Sequence, residues 1–193
     1  MKVLMLNGSR KEQGCTYTAL SLVGESLAEA GIESEIVHIG VDVLKGKVDA
    51  LVKEVGEKGA QADGLVIGSP VYYAGPSGEI KAFLDRLFSG YADAFRYKPG
   101  AAVTSARRAG TTATLEVLQK YLTYTEMPLV SSCYWPMVHG SKPEDVMKDE
   151  EGVHIMHTLG RNMAWLIRSI EAGRQNGVEQ PVKLEKPNTN FIR

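Results

Sequence analysis

The stretch VLMLNGSRKEQGCTYTAL, Val3–Leu20, decides how the rest of the chain is read. Its first four residues are apolar without alternation, the pattern of a strand covered on both faces. The run stops at Asn7. A polar loop follows with two glycines, Gly8 and Gly14, and two adjacent cations, Arg10 and Lys11. From Thr16 onward, Leu20, Val23 and Leu27 recur at helical spacing as far as Gly31, a natural helix stop. A buried strand that enters a helix through a short loop is one unit of a parallel α/β sheet.

The alternation repeats outward from this unit. Strands are expected at Lys2–Asn7, Glu33–Ile39, Gly64–Ser69, Pro99–Ser105 and Pro128–Tyr134. Helices are expected at Thr16–Ala30, Val48–Gln61, Ser77–Phe88, Gly110–Glu126 and Val153–Ile170. This succession predicts an α/β fold: a flavodoxin-like three-layer α/β/α sandwich on a five-stranded parallel sheet of order 2-1-3-4-5. The switch point of that order lies between strands one and three, so the loops after those strands share one crevice. Residues 1–173 read as one domain. Residues 174–193 form a tail without periodicity, either a loose end or an arm at an interface.

Of the 193 residues, 44% are hydrophobic, enough for one substantial core, and the net charge of −1 recruits neither nucleic acid nor an anionic membrane. No apolar run reaches the ~20 residues of a membrane helix. The start of the chain lacks the longer apolar stretch and cleavage site of a signal peptide. Cys15 and Cys133 read as free thiols of a reducing compartment, so a cytoplasmic protein is expected.

The first loop fails the familiar phosphate-loop patterns. Five residues separate Gly8 from Gly14 and Cys15 stands where a P-loop needs Lys; Arg10 replaces the second glycine of a dinucleotide fingerprint. A tyrosine-phosphatase loop needs Arg six positions after its Cys, where Ser21 stands. What remains is a donor-rich loop at a helix start, with Ser9, Thr16 and Thr18 as hydroxyls. It suits a phosphate monoester, or else is an ordinary capped turn with solvated cations. After the third strand, Pro70 and Pro76 bound a loop with adjacent tyrosines, Tyr72 and Tyr73, suited to a flat conjugated ligand. After the fourth, TSARRAG keeps its turn small and carries Arg107 and Arg108; Thr111 or Thr112 are possible helix caps. Lys81 and Asp85 read as a helical surface pair, and His154 and His157 lack the further ligands of a metal site, so no metal residue is assigned.

GSRKEQGCT, GSPVYYAGPSGEIKAFLDR, TSARRAG and SSCYWPMVHG together resemble the NADPH-dependent FMN reductase family of flavodoxin-like proteins, in the branch related to iron–sulfur flavoproteins. The resemblance spans Lys2 to Gly140. It implies an FMN-binding domain with the phosphate near Ser9, Arg10, Gly14, Cys15, Thr16 and Tyr17. It places Pro70, Val71, Tyr72, Tyr73 and Gly75 near the ring, and Ser105, Ala106, Arg107 and Arg108 near its far edge. It implies NAD(P)H as hydride donor and a small acceptor such as a quinone, a nitro- or azo-aromatic, a flavin or a metal ion. No side-chain acid or base is assigned as catalytic. Either Tyr73, Trp135 and His139 wall the exposed face, or Trp135 is a core or interface aromatic and His139 a loop histidine bonded to backbone. A homodimer or homotetramer is implied, with the aromatic loop YADAFRY (Tyr91–Tyr97), the loop around Trp135 and the tail as interface elements. Two departures stand out. Two cysteines exclude a single-chain [4Fe–4S] cluster, and Cys15 stands where relatives often have Asn, Ser or His, so it is either a weaker phosphate donor or, at a helix N-terminus, a thiol of lowered pKa. A flavodoxin-type electron carrier and a flavin-free regulatory protein are the alternatives.

Overall fold

Val3, Leu4, Met5 and Leu6 are at most 1% exposed, so β1 (Lys2–Asn7) is covered on both faces. Alternate residues feed opposite cores: Leu4 and Leu6 pack on one side of the sheet, Val3 and Met5 on the other. The structure, a computed structural model, describes residues 1–185, 187–189 and 191. The elements that follow are α1 (Cys15–Glu29), β2 (Glu33–His38), α2 (Val48–Gln61), β3 (Gly64–Tyr72), β4 (Gly75–Pro76) and α3 (Gly78–Phe95). Then come β5 (Gly100–Ala106), α4 (Thr111–Tyr124), β6 (Met137–His139), α5 (Pro143–Val146) and α6 (Glu150–Gln175).

Five strands run parallel in the order β2-β1-β3-β5-β6, which is the expected 2-1-3-4-5. A two-residue antiparallel strand, β4, is added to the end of β3. Helices α1 and α6 cover one face around Leu20, Val23, Leu159 and Met163. Helices α2, α3 and α4 cover the other around Ile80, Phe83, Leu84 and Leu118. Each such side chain contributes roughly 1.5–3 kcal/mol on burial.

Two expectations are corrected. The fifth strand is not Pro128–Tyr134 but Met137–His139, and the earlier stretch makes only an isolated bridge from Leu129 to Gly100. Gly100 stands opposite Leu129 and Thr104 opposite Met137, so four steps along β5 match eight along its neighbour. The excess chain bulges out at 131–136. Ser132 Oγ holds the bulge by donating to Ile155 O at 2.7 Å, and Asn162 Nδ2 by donating to Ser131 O at 2.7 Å. Pro136 has no N–H to rejoin the ladder earlier, and its carbonyl accepts from Thr104 N at 3.0 Å.

The second correction concerns Tyr91–Tyr97. It is not a loop: α3 continues to Phe95 through a kink at Tyr91. Phe95 is 1% exposed, and a Cβ on Gly59 would lie 2.3 Å from its ring; Gly56 stands in the same relation to Tyr91. The two glycines of α2 thus let α3 approach closely enough to bury its second half.

Candidate functional site

Three loop tips meet at the C-terminal edge of the sheet. Gly8 N donates to Gly68 O at 2.8 Å, and Ser77 Oγ donates to Gly8 O at 2.7 Å. A Cβ on Gly8 would sit 2.6 Å from Ile80 Cβ, so the loops after β1 and β3 close on each other only because residue 8 is glycine. The loop after β5 joins them through two contacts. Thr16 Oγ1 and Ser105 Oγ are 2.8 Å apart, and Gly110, at φ +103°, seats against Val71 and Ala74. The end of β6 completes the edge: Gly140 N donates to Ala106 O at 2.9 Å, and the Cys15 thiol donates to Gly140 O at 3.6 Å.

The first loop is braced from behind by residues outside the expected set. Asn7 Oδ1 accepts from Ser9 N at 3.1 Å, while Asn7 Nδ2 donates to Glu12 O at 2.8 Å. His38 Nε2 lies 2.7 Å from Ser9 O. Asn7 at a strand end was the available signal; His38 had none, because it comes from a neighbouring strand. Ser9 Oγ accepts from Lys11 N at 3.1 Å. The cap of α1 is Gly14, without a side-chain hydrogen bond, so the loop is not an ordinary hydroxyl-capped turn and the first N–H groups of α1 face the crevice with their positive potential. α4 likewise begins at uncapped Gly110; neither Thr111 nor Thr112 caps it. By contrast Ser77 caps α3, accepting from Ile80 N at 3.2 Å, and Asp149 caps α6.

The expected residues divide into groups. Ser9, Gly14, Thr16, Ser105 and Ala106 are buried in the floor. Thr16 already has its hydroxyl partner, so it offers the crevice a backbone N–H. Arg10 is turned onto α3, where its Nε donates to Glu79 Oε1 at 2.5 Å; the Glu79 side chain is 2% exposed. Burial pushes the Cys15 thiol up, contrary to the lowered value expected at a helix start. Tyr17 is half-buried on α1, and Pro70, Val71 and Gly75 are half-buried around the hairpin of β3 and β4. Tyr72 is 41% exposed and Tyr73 fully exposed. Arg107 and Arg108 are exposed. Trp135 is 54% exposed and stacked edge-on with Tyr134 at 4.8 Å, out on the bulge. His139 keeps Nδ1 3.5 Å from Asp149 Oδ2.

The hairpin tip carries strain. Tyr73 and Ala74 have φ of +51° and +56°, at the two central positions of a two-residue turn between Tyr72 and Gly75. Turns of that kind favour Asn-Gly, because side chains with a Cβ are costly there. An aromatic ring held out in this conformation is a mark of a binding element. Beside it lies a cleft of about 580 Å³ lined by Arg10, Leu44, Tyr72, Tyr73, Gly78 and Glu79, within the ordinary range for small-molecule sites. The larger groove, about 770 Å³ between the second half of α3 and the end of α4, is remote from this edge.

Against this geometry, a model of the NADPH-dependent FMN reductase family matches residues 1–142. The chain belongs to that family. An iron–sulfur flavoprotein of Methanocaldococcus jannaschii is 29% identical over 195 residues, covering 89% of this chain and 100% of the relative. The NADPH-dependent FMN reductase of Escherichia coli is 33% identical over 94 residues, covering 45% of this chain and 48% of the enzyme. A solved WrbA-like flavodoxin from Agrobacterium tumefaciens superposes with a TM-score of 0.66 at 18% identity, covering 87% of this chain and 97% of that one. As an FMN reductase family member with a flavodoxin-like fold, the chain has FMN and NADPH as its family's cofactors. Unlike what the M. jannaschii relative's name implies for that protein, this chain carries cysteines only at 15 and 133.

Proposed function

We propose that this chain holds FMN at the converged loop tips and works as an NAD(P)H oxidoreductase toward a small acceptor such as a quinone, a nitro- or azo-aromatic, a flavin or a metal ion. The observation that carries the reading is the convergence itself: Gly8 on Gly68, Thr16 on Ser105, and Gly110 on Val71 and Ala74. When bound, FMN supplies the hydride and electron chemistry, which no side chain provides.

The donor set fits such a group. The uncapped start of α1, the Ser9 hydroxyl and the backbone at Gly14 suit a phosphate monoester without a metal. Asn7 and His38 hold that backbone in place before the ligand arrives, which lowers the ordering cost of binding. Arg10 is held at the rim with its charge paired to Glu79, leaving its remaining N–H groups as donors. Tyr72 and Tyr73 on their strained hairpin flank a flat ring, with Pro70, Val71 and Gly75 shaping its edge. The backbone of Ser105 and Ala106 approaches the opposite edge. No side-chain acid or base is assigned.

The exposed Tyr134, Trp135 and Trp165 support a homodimer or homotetramer, with the tail as an interface arm, its first two residues, 174 and 175, being the end of α6. Lys183 Nζ meets Asp93 at 2.9 Å, while Val182 and Leu184 on either side are more than 80% exposed. Free Cys15 and Cys133 and a net charge of −1 suit a cytoplasmic protein acting on small molecules rather than on membranes or nucleic acid.

Anaerobic titration tests the reading. Yellow protein that bleaches with NADPH or NADH and recolours with a quinone is expected. Colourless protein that neither quenches FMN fluorescence nor gives heat with it overturns the proposal. Yellow protein indifferent to both nicotinamides would instead be a carrier with a protein redox partner.

A further inference from the structure

Of the twenty lysines and arginines among the described residues, fifteen are engaged. Among the eight described arginines, Arg10, Arg86, Arg96, Arg161 and Arg174 pair with carboxylates, and Arg168 donates to Ala30 O. Arg107 and Arg108 pair with nothing among the described residues, and both are exposed. Of the described lysines, only Lys11, Lys120 and Lys142 likewise lack a side-chain partner. Four of these five free cations sit on loops that follow β1, β5 and β6, at one edge of the sheet; Lys120 lies near the far end of α4.

The tip bearing Arg107 and Arg108 is built into the crevice. Gly110 anchors one end on Val71 and Ala74 of the tyrosine hairpin, and Ala106 O anchors the other by accepting from Gly140 N. The tip that carries the two arginines therefore lies between the aromatic hairpin and the Gly140 loop. Acids share this edge, but Glu79 is taken by Arg10, Asp145 bonds Ser141 N and Lys148, and Asp149 caps α6; Glu12 and Glu144 remain as exposed counter-charges. Each guanidinium is a planar, multi-donor group suited to phosphate, and two neighbouring unpaired ones favour a dianion over a neutral ring.

We infer that Arg107 and Arg108 bind the 2′-phosphate of NADPH and so set the preference for NADPH over NADH. The inference rests on the oxidoreductase reading above and deepens it. The flavin phosphate belongs to the uncapped start of α1, so the arginine tip is a second phosphate subsite at the other side of the crevice. The 2′-phosphate is the one group that distinguishes the two nicotinamides, and it brings a dianion to a place that otherwise holds two uncompensated charges.

The test uses FMN-loaded protein titrated calorimetrically with 2′,5′-ADP, 5′-AMP and inorganic phosphate, for the natural sequence, R107Q/R108Q and the remote control K120Q. The natural protein is expected to bind 2′,5′-ADP at least about tenfold more tightly than 5′-AMP. In R107Q/R108Q that preference collapses to within about threefold, and the ratio of kcat/KM for NADPH over NADH falls by the same factor, while K120Q keeps both. Equal affinity of the natural protein for the two nucleotides overturns the inference, as does a double variant that keeps the preference. A double variant that loses FMN instead places the arginines on the flavin and also overturns it. FMN affinity, measured in parallel, judges the oxidoreductase reading separately: a natural protein that takes up no FMN removes that reading, and the nucleotide preference is then read from the same titration of the FMN-free protein.

Discussion

Thr16 Oγ1 and Ser105 Oγ lie 2.8 Å apart, 89 positions apart in sequence and both buried. This contact ties the first turn of α1 to the end of β5, and so ties one side of the crevice to its opposite edge. Truncating either partner leaves a buried hydroxyl unpaired. T16V or S105A is expected to cost about 1–3 kcal/mol, and the double variant less than the sum of the two. Urea unfolding of the three variants measures this; strictly additive costs would show that the hydroxyls are not coupled.

Gly59 and Gly90 make a controlled pair. Alanine at Gly59 would place its Cβ 2.3 Å from the Phe95 ring, whereas at Gly90 it would meet nothing within 4 Å. G59A is expected to destabilise by about 1–3 kcal/mol, the overpacking cost exceeding the helix-propensity gain. G90A is expected to stabilise by up to about 1 kcal/mol. Thermal melts of both variants check the opposite signs.

Ala74 holds a φ of +56° that glycine adopts freely. A74G is therefore expected to raise stability by about 0.5–1 kcal/mol, the relief of strain being partly offset by the greater freedom of glycine in the unfolded chain. The shift in urea midpoint reads it. If A74G destabilises, the hairpin carries no strain at that residue.

Glu35 supplies the pH dependence. Its Oε2 lies 2.5 Å from Lys2 Nζ and its Oε1 2.7 Å from Lys58 Nζ, and hydrogen bonds from Lys2 and then Lys58 hold its carboxyl below the ordinary value of 4.5. A carboxyl depressed on folding stabilises fully above its unfolded pKa and loses that contribution as pH falls through the folded one. E35Q is thus expected to be less stable than the natural protein at neutral pH, and the gap is expected to close below about pH 4.5. Denaturation midpoints across that range decide it; a gap independent of pH would remove the ion pair as the cause.

The sequence by itself determined the parallel α/β sheet, because unbroken apolar runs at Leu4–Leu6 and Leu65–Ile67 can only be strands covered on both faces. It also determined which loops meet at one edge of the sheet, since strand order puts the switch point between β1 and β3. Local pattern could not reveal features that depend on distant neighbours. The interruption of the fifth strand follows from a register between Leu129 and Gly100 that only pairing shows. The helical course of Tyr91–Phe95 follows from glycines on α2. Arg10 seemed a free cation until Glu79, from a helix 69 positions on, was brought to it. Cys15 sits at a helix start that would lower its pKa, but burial against Gly140 and its surroundings prevails. Periodicity records which face of an element is buried, and that is a local property of the chain. Which buried or charged partner stands opposite is set by loop closure between remote segments, so the tertiary structure alone decided which of the described cations are paired within the protein and which are not.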